Sequence, residues 1–298
     1  MQLKDFEKKC ISLLTKRGMY PARKIQQKAF VKHFVAHAWH AHCIEGDGDK
    51  MIDILANDST LVGGEIFNTN FHKPFNQIYP EPLKTNKAWK HFGTELINFK
   101  GKGVGAGELY LAFVIAGYSV ERTNGKGDGK VAGGIREIKN NGASLKPLEI
   151  AIRAIDKLNE TVFQGNRAGP LKPNKLSKGQ SFDRWDIWFQ AQPNKEEILL
   201  SFFTQLYPGK DVKKMCQSLV RYKDGQDFYN IIGKEILKWY KEIDGWHSLI
   251  IIDEKKQMIT NIADVNNLDM FPSLKFLWLS ARAGDSQAIT DGYVNIKN

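Results

Sequence analysis

Three charged residues between Gly101 and Gly142 have the types and spacing needed to bind a divalent cation and act on a water molecule. Asp128 is followed nine residues later by Glu137, and Lys139 comes two residues after Glu137. Glu137 and Lys139 belong to the segment IREIKN, whose pattern predicts a short β-strand. Because successive side chains of a strand point to opposite faces, Glu137 and Lys139 share one face. Two acids and a lysine in this arrangement combine metal ligands with a group that acts on water.

The elements around these residues are predicted to be one helix, three strands and a second helix. The first helix is apolar and begins at Glu108, directly after the glycine-rich turn GKGVGAG. The second helix is amphipathic, because Leu148, Ile152, Ile155 and Leu158 recur at helical spacing. The predicted elements are a helix over Glu108–Ala116, strands over Tyr118–Thr123, near Val131 and over Ile135–Asn140, and a helix over Leu145–Val162.

This order of elements, with Asp128 and the triplet Glu137-Ile138-Lys139, resembles the PD-(D/E)XK nuclease superfamily, whose members have the restriction-endonuclease-like fold. The resemblance covers residues 101–160. No proline precedes Asp128, a departure that members of the family often show.

The resemblance implies an α/β fold with an αβββαβ core. The best candidate for the fourth core strand is the apolar run Ser248–Asp253, which makes residues 165–245 a large, mostly helical insertion. Residues 1–90 are predicted to form a helical N-terminal region, and residues 91–298 a nuclease-like domain that contains the insertion. The segment after Ser248 is predicted to continue as a β-hairpin, because a charged turn separates two apolar runs.

The resemblance also implies roles for individual residues. Glu108, Asp128, Glu137 and Lys139 would be the catalytic residues. Asp128, Glu137 and the carbonyl of Ile138 would hold Mg²⁺, for which Mn²⁺ could substitute. Lys139 would orient the attacking water or stabilise negative charge, and Glu108 would hold the metal through water or position Lys139. The implied activity is that of a metal-dependent nuclease, an endonuclease acting on DNA, that hydrolyses phosphodiester bonds without a covalent intermediate.

The charge of the chain favours a polyanionic partner such as nucleic acid. The formal net charge is +10 and the pI is about 9.3. Several cations lie in the Gly- and Lys-rich connection around Asp128 or in a predicted basic, Pro/Gly-rich loop over Gly165–Gln180, where they could contact phosphates. A solvated loop that leads into a buried strand would have the same composition. The candidate phosphate-binding residues are Lys126, Lys130, Arg167, Lys172, Lys175 and Lys178.

The cysteines and the absence of a long apolar run predict a soluble, intracellular, cytoplasmic protein without a membrane segment. Cys10, Cys43 and Cys216 are few, scattered and odd in number, which argues against a disulfide framework. No N-terminal apolar segment of the secretory type occurs. The oligomeric state stays open, with a homodimer as one option.

Other functions fit part of the same sequence. Gly101, Gly103 and Ala106 match a dinucleotide-binding turn, and Glu121 lies where such a site places an acid. The preceding segment ELINFK is a poor buried strand, however, and the later chain lacks regular βα alternation. A non-catalytic nucleic-acid-binding or scaffold protein on a nuclease-like fold would have the same charge. Glu137 and Lys139 could also be an exposed pair at a sheet edge.

Overall fold

The chain forms two compact units, and the three charged residues of the predicted site lie in the first. One unit comprises Met1–Asn141 with Asp244–Asn267, and the other comprises Gly142–Ile243 with Leu268–Asn298. The predicted division at residue 90 stays a prediction. The computed structural model describes residues 1–19, 25–99, 107–120, 127–141, 193–206, 209–221, 234, 237–238, 240–242, 244–271, 275–279 and 293–297.

The N-terminal part of the first unit is helical, as the spacing of its apolar residues predicts. The first helix buries Phe6, Cys10, Leu13 and Leu14, which share one face because they are three or four residues apart. The helices that precede the predicted site are α1 (Leu3–Lys16), α2 (Ile25–Glu45), α3 (Gly48–Ala56), α4 (Glu81–Lys84) and α5 (Lys87–Asn98).

The sixth helix, α6 (Glu108–Val114), lies in the core of the first unit, and all of its residues are buried. Phe113 stacks on Phe34 of α2 with ring centroids 5.0 Å apart. Gly107 precedes the helix with φ of +86°, and a Cβ atom at this position would lie 2.1 Å from Ile252 Cδ1. Only glycine fits both the left-handed backbone and this close approach, which fixes where α6 begins.

A six-stranded mixed sheet completes the first unit, so the fold is α/β. Its order is β1-β6-β5-β4-β3-β2. Only β4 and β5 run parallel, and every other neighbouring pair is antiparallel. The strands are β1 (Phe71–Pro74), β2 (Ser119–Val120), β3 (Gly129–Val131), β4 (Gly134–Asn140), β5 (Ser248–Asp253) and β6 (Met258–Ile262).

The centre of the sheet agrees with the predicted strands. All residues of β5 are buried, as expected for an almost continuous apolar run that pairs with neighbours on both sides. β5 and β6 form the predicted hairpin. β4 lies between β3 and β5 and starts one residue before the predicted strand. The predicted strand Tyr118–Thr123 is seen as β2 over its described part, and α6 ends two residues before the predicted Ala116.

The second unit contains helices and a separate pair of strands. Helices α7 (Lys195–Leu206) and α8 (Lys213–Val220) lie within the stretch predicted as a helical insertion. Strands β7 (Lys275–Leu279) and β8 (Tyr293–Lys297) form an antiparallel pair. The predicted helix Leu145–Val162 lies outside the described residues. In the part of the chain that the structure describes, no helix combines the length and apolar composition that crossing a bilayer requires.

Candidate functional site

Strand β4 places Glu137 and Lys139 on one face of the sheet, as predicted. Lys139 Nζ donates a hydrogen bond to Glu137 Oε1. The interpretation of this pair as an exposed feature of a sheet edge is wrong for Glu137, which is buried and pairs with Leu249 of β5, although β3 pairs with β4 only as far as Arg136. Glu137 is only 5% exposed. A carboxylate buried this far needs a cation or hydrogen-bond donors close to it, and Lys139 supplies both.

Asp128 lies beside the same part of β4, directly before β3 begins. Its backbone N–H donates to the Arg136 carbonyl over 2.8 Å, which continues the pairing of β3 with β4 by one residue. Its carboxylate Oδ2 accepts a hydrogen bond from the Ile138 N–H, also over 2.8 Å. Lys139 Nζ lies 4.0 Å from the same Oδ2. The structure therefore brings the carboxylates of Asp128 and Glu137 together around the ammonium group of Lys139.

The geometry of the strand places the carbonyl of Ile138 on the edge of β4 that faces β3. The N–H and C=O of one strand residue point to the same side, and residues two apart share that side. The Arg136 carbonyl and the Ile138 N–H both meet Asp128, so this edge of β4 faces β3. β3 starts at Gly129, opposite Arg136, and does not reach Ile138. The Ile138 carbonyl thus lies at the same edge as the Asp128 carboxylate.

Glu108 is the first residue of α6 and is 8% exposed. The Tyr118 hydroxyl lies within the electrostatic reach of Glu108 and of the two other acids. Burial raises the pKa of Tyr118 well above its usual value of 10, and the negative charges of Glu108, Asp128 and Glu137 raise it further. All three acids therefore lie close enough to act on one hydroxyl group. The role predicted for Glu108, to hold the metal through water or to position Lys139, stays a prediction.

The donor set suits a hard cation. Mg²⁺ prefers oxygen ligands and takes one or two carboxylates together with water and substrate phosphate. Asp128, Glu137 and the Ile138 carbonyl supply two carboxylates and one carbonyl. Within the described ranges, no three His, Cys, Asp or Glu side chains are grouped closely enough to bind one metal ion. Glu108 therefore does not complete a set of three direct side-chain ligands, and a contact through water suits it better.

Arg136 is a residue of this region whose importance the sequence does not reveal. It is 1% exposed and lies on the face of β4 opposite Glu137. Its guanidinium donates hydrogen bonds to the carbonyls of Phe67 (3.1 Å) and Val131 (3.3 Å), to Ser248 Oγ (3.1 Å) and to Asn68 Oδ1 (2.9 Å). Burial lowers the pKa of this guanidinium from its ordinary value. Arg136 ties β4 to its surroundings and so holds Glu137 in place.

One predicted phosphate-binding residue can be placed in the structure. Lys130 is exposed on β3 and pairs in register with Ile135, so the two side chains share a face. Glu137 and Lys139 lie on the same face as Ile135, two and four residues along β4. Lys130 therefore lies on the side of the sheet that carries the site. The other candidates lie outside the described residues: Lys126, Arg167, Lys172, Lys175 and Lys178.

The structure contradicts one requirement of the dinucleotide-binding interpretation. Such a site needs a strand directly before its glycine-rich turn. The residues ELIN belong instead to α5 (Lys87–Asn98), which continues almost to that turn. The turn residues Gly101, Gly103 and Ala106, and the acid Glu121, lie outside the described residues.

Comparison with known proteins identifies no family for this chain. No protein-family model matches it, no curated protein matches it, and no solved structure matches it. The function inferred for it therefore rests on the arrangement of Asp128, Glu137, Ile138 and Lys139 in this chain.

Proposed function

We propose that this protein is a Mg²⁺-dependent nuclease that hydrolyses phosphodiester bonds in DNA. The observation that carries the proposal is the meeting of Asp128, Glu137 and Lys139 at the edge of β4. Lys139 Nζ donates to Glu137 and lies 4.0 Å from Asp128 Oδ2. The carbonyl of Ile138 belongs to the same edge of β4, where the Ile138 N–H donates to the Asp128 carboxylate. These are the groups that the resemblance to PD-(D/E)XK nucleases assigns to metal binding and catalysis.

The order of elements supports a restriction-endonuclease-like core. Helix α6 is followed by the three antiparallel strands β2, β3 and β4, and β5 then pairs parallel with β4. Over the described residues, these elements match the αβββ part and the last strand of the αβββαβ order, and its second helix stays a prediction. A parallel pair requires a crossover connection between its strands, and this crossover is where the core places its second helix. The residues predicted to form that helix, Leu145–Val162, lie in that connection.

A divalent cation in such a site lowers the pKa of bound water and neutralises charge that develops on the phosphate. Asp128 and Glu137 supply the negative charge that draws a cation to the edge of β4. Lys139 serves as their counter-ion when no metal is bound. With a cation bound to these carboxylates, Lys139 would be able to contact the attacking water and the phosphate oxygens. Glu137 is 5% exposed, so bulk water competes little with these contacts.

The first test compares metal ions and substrates with the whole chain. We expect Mg²⁺ or Mn²⁺ to support cleavage, Ca²⁺ to support binding with little cleavage, and excess chelator to stop cleavage. The substrates are plasmid, linear duplex DNA, single-stranded DNA and RNA, and the products are separated by electrophoresis. Robust cleavage in excess chelator would contradict metal dependence. Tight binding without cleavage under every condition would favour the non-catalytic scaffold instead.

A second test concerns the basic loop GNRAGPLKPNKLSKGQ. Replacing its four cations with alanine should weaken DNA binding at every sequence. The slope of log affinity against log salt should flatten by about 1 for each phosphate that the loop no longer neutralises, because fewer condensed counterions are released. The four loop cations are Arg167, Lys172, Lys175 and Lys178. The control variant replaces four exposed lysines of α1 and α2 that carry the same total charge: Lys4, Lys8, Lys28 and Lys32. An unchanged slope in the loop variant would show that the loop does not contact DNA.

A further inference from the structure

Tyr118 lies between α6 and β2 and is 5% exposed. Its hydroxyl oxygen lies against the backbone of Gly129, the residue after Asp128. A Cβ atom on Gly129 would be 1.9 Å from Tyr118 Oη. Any side chain at position 129 would therefore displace the phenol. The chain thus keeps one position free of a side chain next to Asp128, and a tyrosine hydroxyl fills that space.

This hydroxyl is buried and has no hydrogen-bond partner among the described residues. Buried hydroxyl groups in proteins are almost always hydrogen-bonded, and an exception calls for a partner such as an ordered water. Glu108, Asp128 and Glu137 all lie close enough to raise the pKa of the phenol, after the larger effect of burial. Tyr118 therefore keeps its proton at ordinary pH. It presents a donor beside Gly129, the residue after Asp128, within the electrostatic reach of Glu108 and Glu137.

We propose that Tyr118 Oη, together with Glu108, binds a water molecule in the hydration shell of the metal ion held by Asp128 and Glu137. This inference rests on the proposed function and identifies Tyr118 as a positioning residue. Mg²⁺ dehydrates reluctantly and keeps several waters in protein sites. Among the side chains that the structure describes, Glu108 is not grouped with two other potential ligands closely enough to bind one ion directly, which suits a contact through water. Tyr118 donates a hydrogen bond to this water, and Glu108 accepts one from it.

The variant Tyr118→Phe tests the proposal by removing only the hydroxyl. Loss of a partner in the outer shell of a metal site typically lowers metal affinity about 10–100-fold. We expect Mn²⁺ binding to the full chain without nucleic acid, followed by electron paramagnetic resonance, to weaken by that factor. The melting temperature of the metal-free variant should stay equal or rise, because the removed hydroxyl has no protein partner among the described residues. A purely structural tyrosine would give the opposite pattern, a lower melting temperature with unchanged affinity.

The matched control is Tyr110→Phe. Tyr110 is a fully buried tyrosine of α6 whose ring packs against Phe75, Tyr79 and Trp89, away from the three acids. This variant should bind Mn²⁺ as the wild-type protein does. If Asp128→Asn loses Mn²⁺ binding and Tyr118→Phe keeps it, the role of Tyr118 is overturned while the proposed function stands. If the wild-type protein neither binds Mn²⁺ nor cleaves, the proposed function itself fails.

A second measurement keeps the Tyr118 hydroxyl and tests the proposal even if the Tyr118→Phe variant does not fold. A single 3-fluorotyrosine at position 118 retains the hydroxyl and gives one ¹⁹F resonance. We expect this resonance to shift on addition of Mg²⁺ and to saturate at the concentration that saturates Mn²⁺ competition. The shift should be absent in the Asp128→Asn background. A resonance that stays fixed while Mg²⁺ binds would overturn the assignment.

Discussion

Asp128→Asn and Glu137→Gln should each reduce the rate of DNA cleavage by about 10³-fold. Each substitution removes a negative charge that would hold the cation, and with it several kcal/mol of transition-state stabilisation. Both substitutions keep the size and most hydrogen-bonding atoms of the side chain. In Asp128→Asn, the amide oxygen of the new side chain can still accept the hydrogen bond that the Ile138 N–H donates to Asp128 Oδ2 in the native chain. The fold should therefore survive, which circular dichroism and thermal unfolding would check.

The double variant Asp128→Asn/Glu137→Gln should be scarcely slower than the slower single variant. Residues that act as one unit give strongly non-additive effects on rate. DNA binding without metal should persist in Asp128→Asn and should tighten slightly, because one carboxylate no longer repels phosphate. The control is Asp53→Asn, which removes an exposed carboxylate of α3 paired with Lys9 at 2.8 Å. A rate in either site variant equal to that of the Asp53 variant would exclude these residues from the metal site.

The strands that carry the candidate site could be predicted because their sequence patterns are strong. SLIIID contains four consecutive apolar residues, which indicate a buried strand, and IREIKN has a short strand pattern, so β4 and β5 follow from local rules. The hairpin of β5 and β6 also follows, because a charged turn separates two apolar segments. The convergence of Asp128 on β4 required only that β3 and β4 be neighbours. A connection of two residues between them makes that arrangement nearly obligatory.

Other elements depend on contacts that the sequence does not show. β1 (Phe71–Pro74) lies in a segment without clear periodicity and pairs with β6, nearly two hundred residues later. Asn70 secures that region by accepting hydrogen bonds from the backbone of Ala263 and Asp264. A pairing of such high sequence separation leaves no local pattern. β1 is therefore formed by its partner rather than by its own propensity.

The surroundings of Arg136 and Tyr118 could not be predicted from the local sequence either. An arginine in a strand normally indicates a solvent-facing position, yet Arg136 is 1% exposed. Its burial depends on carbonyls and side chains that converge from Phe67, Asn68 and Ser248, far away in the sequence. Tyr118 is an ordinary aromatic residue in a strand pattern. Only the folded chain shows that its hydroxyl lies against the backbone of Gly129, next to Asp128.

Lys139→Met should abolish most cleavage and, at the same time, strengthen metal binding. Groups that move protons or orient the attacking water typically contribute 10²–10⁴-fold to rate, so a loss of about that size is expected. The native ammonium donates to Glu137 and lies 4.0 Å from Asp128 Oδ2, where it competes with any cation for the same two carboxylates. Removing it should lower the stability of the metal-free protein, since two partly buried carboxylates then repel each other.

The size of the change in metal affinity follows from the distance. A unit charge 4 Å from a carboxylate contributes about 4 kcal/mol at an effective dielectric constant near 20, and partial solvent exposure reduces this value. We expect Mg²⁺ to bind about tenfold more tightly, a change of roughly 1.4 kcal/mol. Isothermal titration calorimetry would measure the affinity directly. Thermal unfolding at increasing Mg²⁺ would show a larger stabilisation than in the wild-type protein, because a ligand that binds only the folded state raises its stability.

The control for charge removal is Lys84→Met, which breaks an exposed ion pair with Glu81 on α4. It should change neither the rate nor the Mg²⁺ affinity, because exposed pairs contribute little and this one lies outside the site. Weaker Mg²⁺ binding in Lys139→Met would show that the lysine supports the ion rather than competing with it. Cleavage by Lys139→Met at the wild-type rate would refute the assignment of the site. Loss of cleavage with a gain in affinity is expected only if Lys139 is both the counter-ion of the empty site and a participant in the reaction.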